Sequence, residues 1–365
     1  MKKVCFLTMG NIELAPYIAI YMKYVEGACH IIFWDREGRG QRSDGNYYYR
    51  YNKQIKDTDK VQKVIGYAGY KRFARRVLLE NKFDLVICLQ TCAALLLSDV
   101  LMSKYSGKFI VDIRDYSDEK IGLVYKREKR LFARAKKCVI SSEGYKEFLP
   151  AGEYLIAHNL RQLPKSEVES IRNRETKRTR LHIAYIGHCA YQEQYRKLLL
   201  NLKNDERFIV SFFGTRAEEL EEFCKNNDIK NVRISGAFDA KDILQLYKDV
   251  DFVNNLYGNH TPVLDYALSN KLYFATELRI PILTCPDTYM AKVALHYGVG
   301  IAVNADDSNL GDYLYDYYMK LDWKKMSDGC QHFLDRAYKE QACFESYIRS
   351  VISNEGDNNE NIICD

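Results

Sequence analysis

A chain of 365 residues exceeds what one ordinary hydrophobic core organises and suits two domains. Its 47% hydrophobic and 28% charged content is that of a soluble globular protein, and no segment reaches the roughly 18 uninterrupted apolar residues that a membrane span needs. A net charge of +5, with no recognition module beside it, argues against a nucleic-acid binder.

The chain starts without the pattern of a secretory signal, because the apolar run Val4 to Met9 is short and polar Asn11 and Glu13 follow. The 11 cysteines are an odd number with no Cys-x-x-Cys pair. Cys5, Cys88, Cys138, Cys189 and Cys285 sit in or beside apolar runs, where thiols behave as small hydrophobes. Together these features predict a reducing, cytoplasmic setting. The 29 tyrosines are an excess for which the sequence offers no reason.

In chain order, Val4–Met9 reads as a buried strand and Gly10–Asn11 as the loop after it. His30–Asp35 is a second strand, followed by a tyrosine-rich loop from Gly38 to Asn52. Val61, Val64, Ile65 and Ala68 have helical spacing. Asp84–Leu89, Phe109–Ile113, Cys138–Ser142 and Tyr154–His158 supply further strands, with helical patterns at Ala93–Lys104 and Lys120–Lys136 between them. From Arg161 to Arg180 the chain is polar and basic, which predicts a linker. A second alternation then begins: Leu181–Gly187, Phe208–Gly214, Val232–Gly236, Asp251–Leu256, Pro281–Cys285 and Val299–Val303 read as strands with helical stripes between them. A long helical pattern from Trp323 to Ile352 follows, and the acidic, Asn-rich residues after Asn354 predict disorder. Continuous apolar runs separated by helices predict an α/β chain of two doubly wound parallel sheets in tandem.

Open parallel sheets bind ligands beyond the carboxyl ends of their strands. That rule selects Gly10 and Asn11, Arg114 and Asp115, His158 and Asn159, Gly187 and His188, and Gly214. Near the end of the second alternation, the run Leu268–Thr284 has a polar entry at Asn270 and Lys271, a helical stretch ending near Glu277, then Pro281 and a buried strand. A helix start offers free N–H groups and a positive dipole end to an anion.

That run resembles the donor-binding element of GT-B glycosyltransferases, often written N-K-x-Y-E-x-x-A-x-G-x-P. The two alternating halves, the basic linker and the second-half opening I-A-Y-I-G-H extend the likeness over nearly the whole chain. It is similar in style to the family four enzymes that build bacterial capsular or exopolysaccharide. The resemblance implies an acceptor-side domain over residues 1–165, joined by a C-terminal helix at about 335–352, and a nucleotide-sugar domain over 175–330, with chemistry in a cleft they face and a tail at 354–365. It implies a nucleotide-sugar donor held by Gly187, His188, Arg196, Gly214, Asn270, Lys271, Tyr273 and Glu277, and a saccharide or lipid-linked acceptor met by the loop at Gly10 and Asn11.

Two departures stand out. Where the family commonly has an Arg and a Lys soon after the glycine, this chain has Ala190 and Glu193, with Arg196 and Lys197 a turn further on. The family's two helix glutamates, one of which binds ribose hydroxyls, have Tyr266 and Phe274 as counterparts, and neither accepts a hydrogen bond as a carboxylate does.

Asp115 is the best catalytic candidate, since a carboxylate at a strand end beside Arg114 can orient or deprotonate an acceptor hydroxyl. Its bland alternative is a helix N-cap. His158 is a second candidate, against a structural role at its strand end. Helix ends and cations can stabilise a leaving nucleotide diphosphate without a metal, so no metal or cofactor is expected. Seven of the twelve residues from Lys126 to Lys137 are basic, and Arg72, Arg75 and Arg76 form a second basic face. Either these are solvated faces or they lean on an anionic membrane surface, such as the inner face of the cell membrane. A catalytically silent subunit that binds a partner transferase is the competing reading, motivated by Tyr266 and Phe274.

Overall fold

The computed structural model describes residues 1–55, 60–172 and 178–353. The chain divides into two compact units, Met1–His158 with the segment from Lys339 on, and Asn159–Tyr338. The expected disordered tail and part of the linker, residues 173–177, lie outside the described residues.

In the first unit seven strands form a parallel sheet in the order β3-β2-β1-β4-β5-β6-β7. They are β1 (Val4–Leu7), β2 (His30–Asp35), β3 (Tyr47–Asn52), β4 (Leu85–Cys88), β5 (Phe109–Ile113), β6 (Lys137–Ile140) and β7 (Tyr154–Ile156). Strands β1, β2, β4 and β5 are buried along their whole length, which is why they read as unbroken apolar runs. Val4 and Phe6 of β1 face a core that includes Ile18, Tyr21, Phe344 and Ile348.

One expectation is corrected here and another is refined. The tyrosine-rich segment expected as a loop contains β3, which pairs with β2 from His30↔Tyr47 to Asp35↔Asn52. It is an edge strand with half-exposed residues, so it lacks the apolar run that betrays a central strand. Its rings do the packing instead: Tyr47 stacks on His30 at 4.7 Å and Tyr51 meets Trp34 edge-on at 5.6 Å. Part of the tyrosine excess is spent in this way. The helix expected around Val61 exists, spanning Lys60–Asn81, but Val61, Val64 and Ile65 are exposed and its buried side is Tyr70, Ala74, Val77 and Leu78.

In the second unit the parallel order is β10-β9-β8-β11-β12-β13. The strands are β8 (Leu181–Ile186), β9 (Phe208–Phe213), β10 (Val232–Ser235), β11 (Phe252–Asn255), β12 (Ile282–Thr284) and β13 (Gly300–Ala302). Alternate residues of β8 serve opposite faces, as strand geometry requires. Ile183 and Tyr185 join Leu198, Leu199 and Phe212 in one core, while Ala184 and Ile186 join Leu272, Ala275 and Met326 in the other. The expected linker is corrected too, because Lys165–Arg172 is a helix that buries Val168 and Ile171 against this second core.

The last helix, Trp323–Ile352, serves both units in turn. Met326, Cys330 and Phe333 belong to the second unit's core, whereas Phe344, Ile348 and Val351 belong to the first's.

A buried carboxyl pair lies in the first unit. Glu128, on helix Gly122–Phe132, is electrostatically coupled to Glu119, and both are buried. Among the described residues no donor reaches either Glu128 oxygen or Oε1 of Glu119, and a proton shared between the two carboxyls is the arrangement that would relieve both. Burial, reinforced by the Glu119 charge, pushes Glu128 up to about 9 from its ordinary 4.5. A folded-state value above the unfolded one means that the native protein holds more protons, so stability falls as pH rises between the two values. The expected slope is up to about 1.4 kcal/mol per pH unit. Urea titrations at pH 5, 7 and 9 check it: Glu128→Gln should flatten the loss, and an unchanged profile would remove the shared proton from the account.

Candidate functional site

Both sheets reverse their strand order once, between β1 and β4 and between β8 and β11. Loops at the carboxyl ends of such strand pairs diverge and leave a crevice. Each unit has a cavity there.

In the first unit a cavity of about 560 Å³ is lined by Met9 after β1, by Gln90, Thr91 and Cys92 after β4, and by Arg114 to Asp118 after β5. Leu95, Leu96, Leu123 and Val124 give it an apolar wall, and Arg127, which donates to Ser98 Oγ at 2.9 Å, closes another side. Asp115 is exposed at its rim. Desolvation there raises the Asp115 pKa, with Arg114 pulling the other way.

The Arg114 charge favours the ionised Asp115 as expected, but its hydrogen bonds go to other partners. Its guanidinium forms a two-bond fork with Asp112, at 2.6 and 2.9 Å, and donates to Ala157 O at 3.1 Å. Asp112 is fully buried and also accepts from Tyr21 Oη at 2.7 Å. Tyr17 lies against the guanidinium, 4.4 Å from it. The pair ties β5 to its surroundings. His158 is likewise engaged: its Nε2 meets Glu340 Oε2 at 2.6 Å, and its N–H donates to Gln341 Oε1 at 2.9 Å. Asn11 donates to Asp35 at 2.8 Å and accepts from Arg36 N, pinning the turns after β1 and β2 together. Burial alone would raise Asp35, but bonds from Gly40, Asn11, Arg39 and Arg50 bring it down to about 2. Neither His158 nor Asn11 lines the cavity; Gly10, beside it, is buried.

In the second unit the cavity measures about 360 Å³ and lies past β8 and β11. Four sequence candidates meet there: Gly187 and His188 after β8, and Asn270 and Lys271 at the start of helix Asn270–Leu278. Ser269 caps that helix, its Oγ accepting from Lys271 N at 3.2 Å. Lys271 is buried, only 7% exposed. Its Nζ donates to Tyr257 Oη at 2.9 Å and lies 4.0 Å from the centre of the Tyr185 ring. Among the described residues no carboxylate pairs with it, and no acidic residue lines the cavity. Burial pushes the Tyr257 phenol up, but the Lys271 charge and the bonds from Lys271 and Ser269 outweigh it and leave the pKa below its ordinary value. The ring of Tyr257 stacks on Tyr191 at 4.3 Å. A buried ammonium held by a phenol and a ring face keeps its charge directed at whatever fills the space.

Gly214 shapes the site from behind. At φ +132° it adopts backbone that favours glycine, and a Cβ there would fall 1.9 Å from Gly187 O. Gly214→Ala must therefore displace the Gly187 turn. We expect a stability loss of about 2–3 kcal/mol, read as a lower thermal midpoint by circular dichroism. A midpoint equal to wild type would contradict the close approach.

The remaining candidates lie outside this lining. Arg196 packs over Phe223 at 5.3 Å. Tyr273 is buried with its ring 5.7 Å from that of Phe333. Glu277 borders a separate cavity, where Arg172 and Tyr338 donate to its carboxylate at 3.1 and 2.7 Å. Sequence reasoning missed Tyr185, Tyr191, Tyr247, Tyr257 and Arg161, all in the lining. Tyr257 was within reach, since it sits two residues past β11 and the strand-end rule applies to it. Phe274, noted for replacing a carboxylate, is in the wall, its ring stacked at 5.2 Å on Tyr247 with Arg161 over it at 5.6 Å.

No family model matches the sequence, and no curated protein matches it either. Solved structures do match over nearly the full length. Sucrose-phosphate synthase from Thermosynechococcus elongatus superposes with a TM-score of 0.66 at 9% identity, covering 96% of this chain and 99% of that one. HepE from Anabaena, solved in complex with UDP-glucose, gives 0.64 at 12% identity, covering 97% and 100%. WaaB, a lipopolysaccharide outer core galactosyltransferase, gives 0.63 at 14% identity, covering 94% and 99%. These neighbours are GT-B glycosyltransferases, and the two doubly wound sheets of this chain constitute that fold.

Proposed function

We propose that this chain is a glycosyltransferase that takes a sugar from a nucleotide-sugar and passes it to a saccharide or lipid-linked acceptor in bacterial surface polysaccharide synthesis. The observation that carries the reading is Lys271: a buried ammonium with no carboxylate partner among the described residues, at a capped helix start, beside the glycine that follows β8. A buried charge is costly unless something compensates it, and a diphosphate supplies the missing negative charge. The GT-B fold and the UDP-glucose complex of HepE support a nucleotide-sugar as that ligand. WaaG, described as involved in lipopolysaccharide biosynthesis, and WaaB support a surface-glycan acceptor.

The acceptor belongs at the cavity past β1 and β4, where Asp115 is the one catalytic candidate with its carboxylate at the rim. Its raised pKa suits a group that takes a proton from a hydroxyl. Cations and helix ends supply the charge stabilisation, so transfer should proceed unchanged in excess chelator. The test of the reading is a calorimetric screen with UDP, GDP, CMP, dTDP and their sugars. Saturable binding to one nucleotide class supports it, and no binding to any sinks it.

We place the protein in the cytoplasm, in peripheral contact with the inner face of the membrane. No helix among the described residues is long and apolar enough to cross one. Ile121 and Leu123, 55% and 78% exposed, precede exposed Lys126, Lys129 and Arg130 on the same helix and its approach. Apolar residues beside cations suit an anionic bilayer surface. Co-sedimentation with anionic vesicles at low salt should exceed that with neutral ones, and equal binding would remove this part. A second reading, a silent subunit that binds a partner transferase, is favoured by the absence of a carboxylate from the Lys271 cavity. Nucleotide-sugar turnover by the isolated chain excludes it.

A further inference from the structure

Resting on the reading above, we infer that Tyr257 is a positioning residue for the anion at Lys271: its phenol aims the ammonium, and diphosphate binding is coupled to that phenol keeping its proton. Tyr257 Oη accepts from Lys271 Nζ at 2.9 Å and lies 3.2 Å from Ser269 Oγ. Ser269 also receives the Lys271 N–H, so a serine and a tyrosine hold this lysine at its backbone and at its tip. Stacking on Tyr191 at 4.3 Å steadies the phenol ring. Among the described residues no carboxylate pairs with Lys271 and none lines the cavity, so the bonded phenol oxygen is the group at hand that can become its counter-charge.

Two charge states follow. With the phenol neutral, the ammonium is uncompensated and open to a phosphate. Once the phenol ionises, it neutralises the ammonium and its own charge repels the phosphate. The groups around it favour this phenol as the one that titrates. Burial raises Tyr185 from β8, Tyr195 from helix Gln192–Asn201 and Tyr247 from helix Ile243–Tyr247. It also raises the Cys285 thiol, which accepts from Gly258 N. Burial works the same way on Tyr257, but the Lys271 charge and the bonds from Lys271 and Ser269 leave it lowered. Tyr191, His188 and Arg161 complete the titratable lining. A proton needed in the bound state makes affinity fall as pH rises through the free phenol's pKa, here below the ordinary tyrosine value of about 10. The fall approaches about tenfold per pH unit.

The experiment follows tyrosinate absorbance of the full chain between about pH 7 and 11, free and with each of inorganic diphosphate, UDP, GDP, CDP and dTDP. Inorganic diphosphate carries no base, so its spectra report the phenols alone. A probe that binds is expected to suppress the absorbance of one phenol, and its affinity by calorimetry should fall over the same pH window. In Tyr257→Phe the ligand-dependent absorbance change should vanish, which a merely structural Tyr257 would not bring about. Binding that leaves the wild-type tyrosinate absorbance unchanged, or a change that survives in Tyr257→Phe, overturns this inference while leaving the proposed function standing. The first of these is read on wild-type protein alone, so it decides whether or not the variant folds. Binding of none of the probes overturns both.

Discussion

Replacement of Asp112 by alanine is expected to destabilise the first unit by about 3–5 kcal/mol, because it leaves a buried cation uncompensated. The Arg114 side chain is only 9% exposed and that of Asp112 is not exposed at all, so water cannot take over the lost contacts. Two guanidinium bonds and the Tyr21 hydroxyl bond go together. Asp112→Asn keeps the shape and one acceptor oxygen, and should fall between the two. Equilibrium urea unfolding of the three proteins decides the matter. A loss below about 1 kcal/mol for the alanine variant would mean that water or a neighbouring group replaces the carboxylate. The same result bears on mechanism, since an Arg114 bonded to Asp112 positions the β5 end that carries the base proposed at Asp115.

The second large effect concerns Lys271, and it has two signs. Methionine matches the lysine stem in length but carries no charge. Lys271→Met should weaken nucleotide diphosphate binding by about tenfold to a hundredfold, the worth of one charge-assisted hydrogen bond. In the free protein the same change removes a buried ammonium that has no carboxylate partner among the described residues, so stability should hold or rise. Calorimetry and thermal unfolding on one preparation read both. A variant that loses binding together with stability would show that Lys271 holds the fold rather than the ligand. Tyr257→Phe is a milder probe of the same arrangement, since it removes the phenol that receives the ammonium.

How far the sequence foretold this depends on where each residue's partners lie. Central strands were legible because burial on two faces demands apolar side chains at every position, as in β1 and β8. The edge strand β3 was not, since Tyr-Tyr-Tyr-Arg-Tyr-Asn serves packing through ring faces while remaining polar enough for a loop. Helix Lys165–Arg172 was hidden by its charges, with only Val168 and Ile171 to anchor it. Gly187, His188, Asn270 and Lys271 could be chosen from local rules about strand ends and helix starts, and the fold brings them to one cavity. Arg114 and His158 were harder to read, for the opposite reason. Their partners Asp112, Ala157, Glu340 and Gln341 are set by tertiary packing, and strand-end position alone does not separate a catalytic group from a tethered one.

Because the closing helix Trp323–Ile352 gives its later turns to the first unit, that unit is discontinuous in the chain. Phe344 and Ile348 complete a core begun by Val4 and Phe6. During synthesis from the amino end, the sheet of Met1–His158 therefore waits for residues of the segment from Lys339 on, with all of Asn159–Tyr338 translated in between. The second unit has no such delay, and a nascent chain stalled before Phe344 carries it beside a partner whose hydrophobic centre is still open to water.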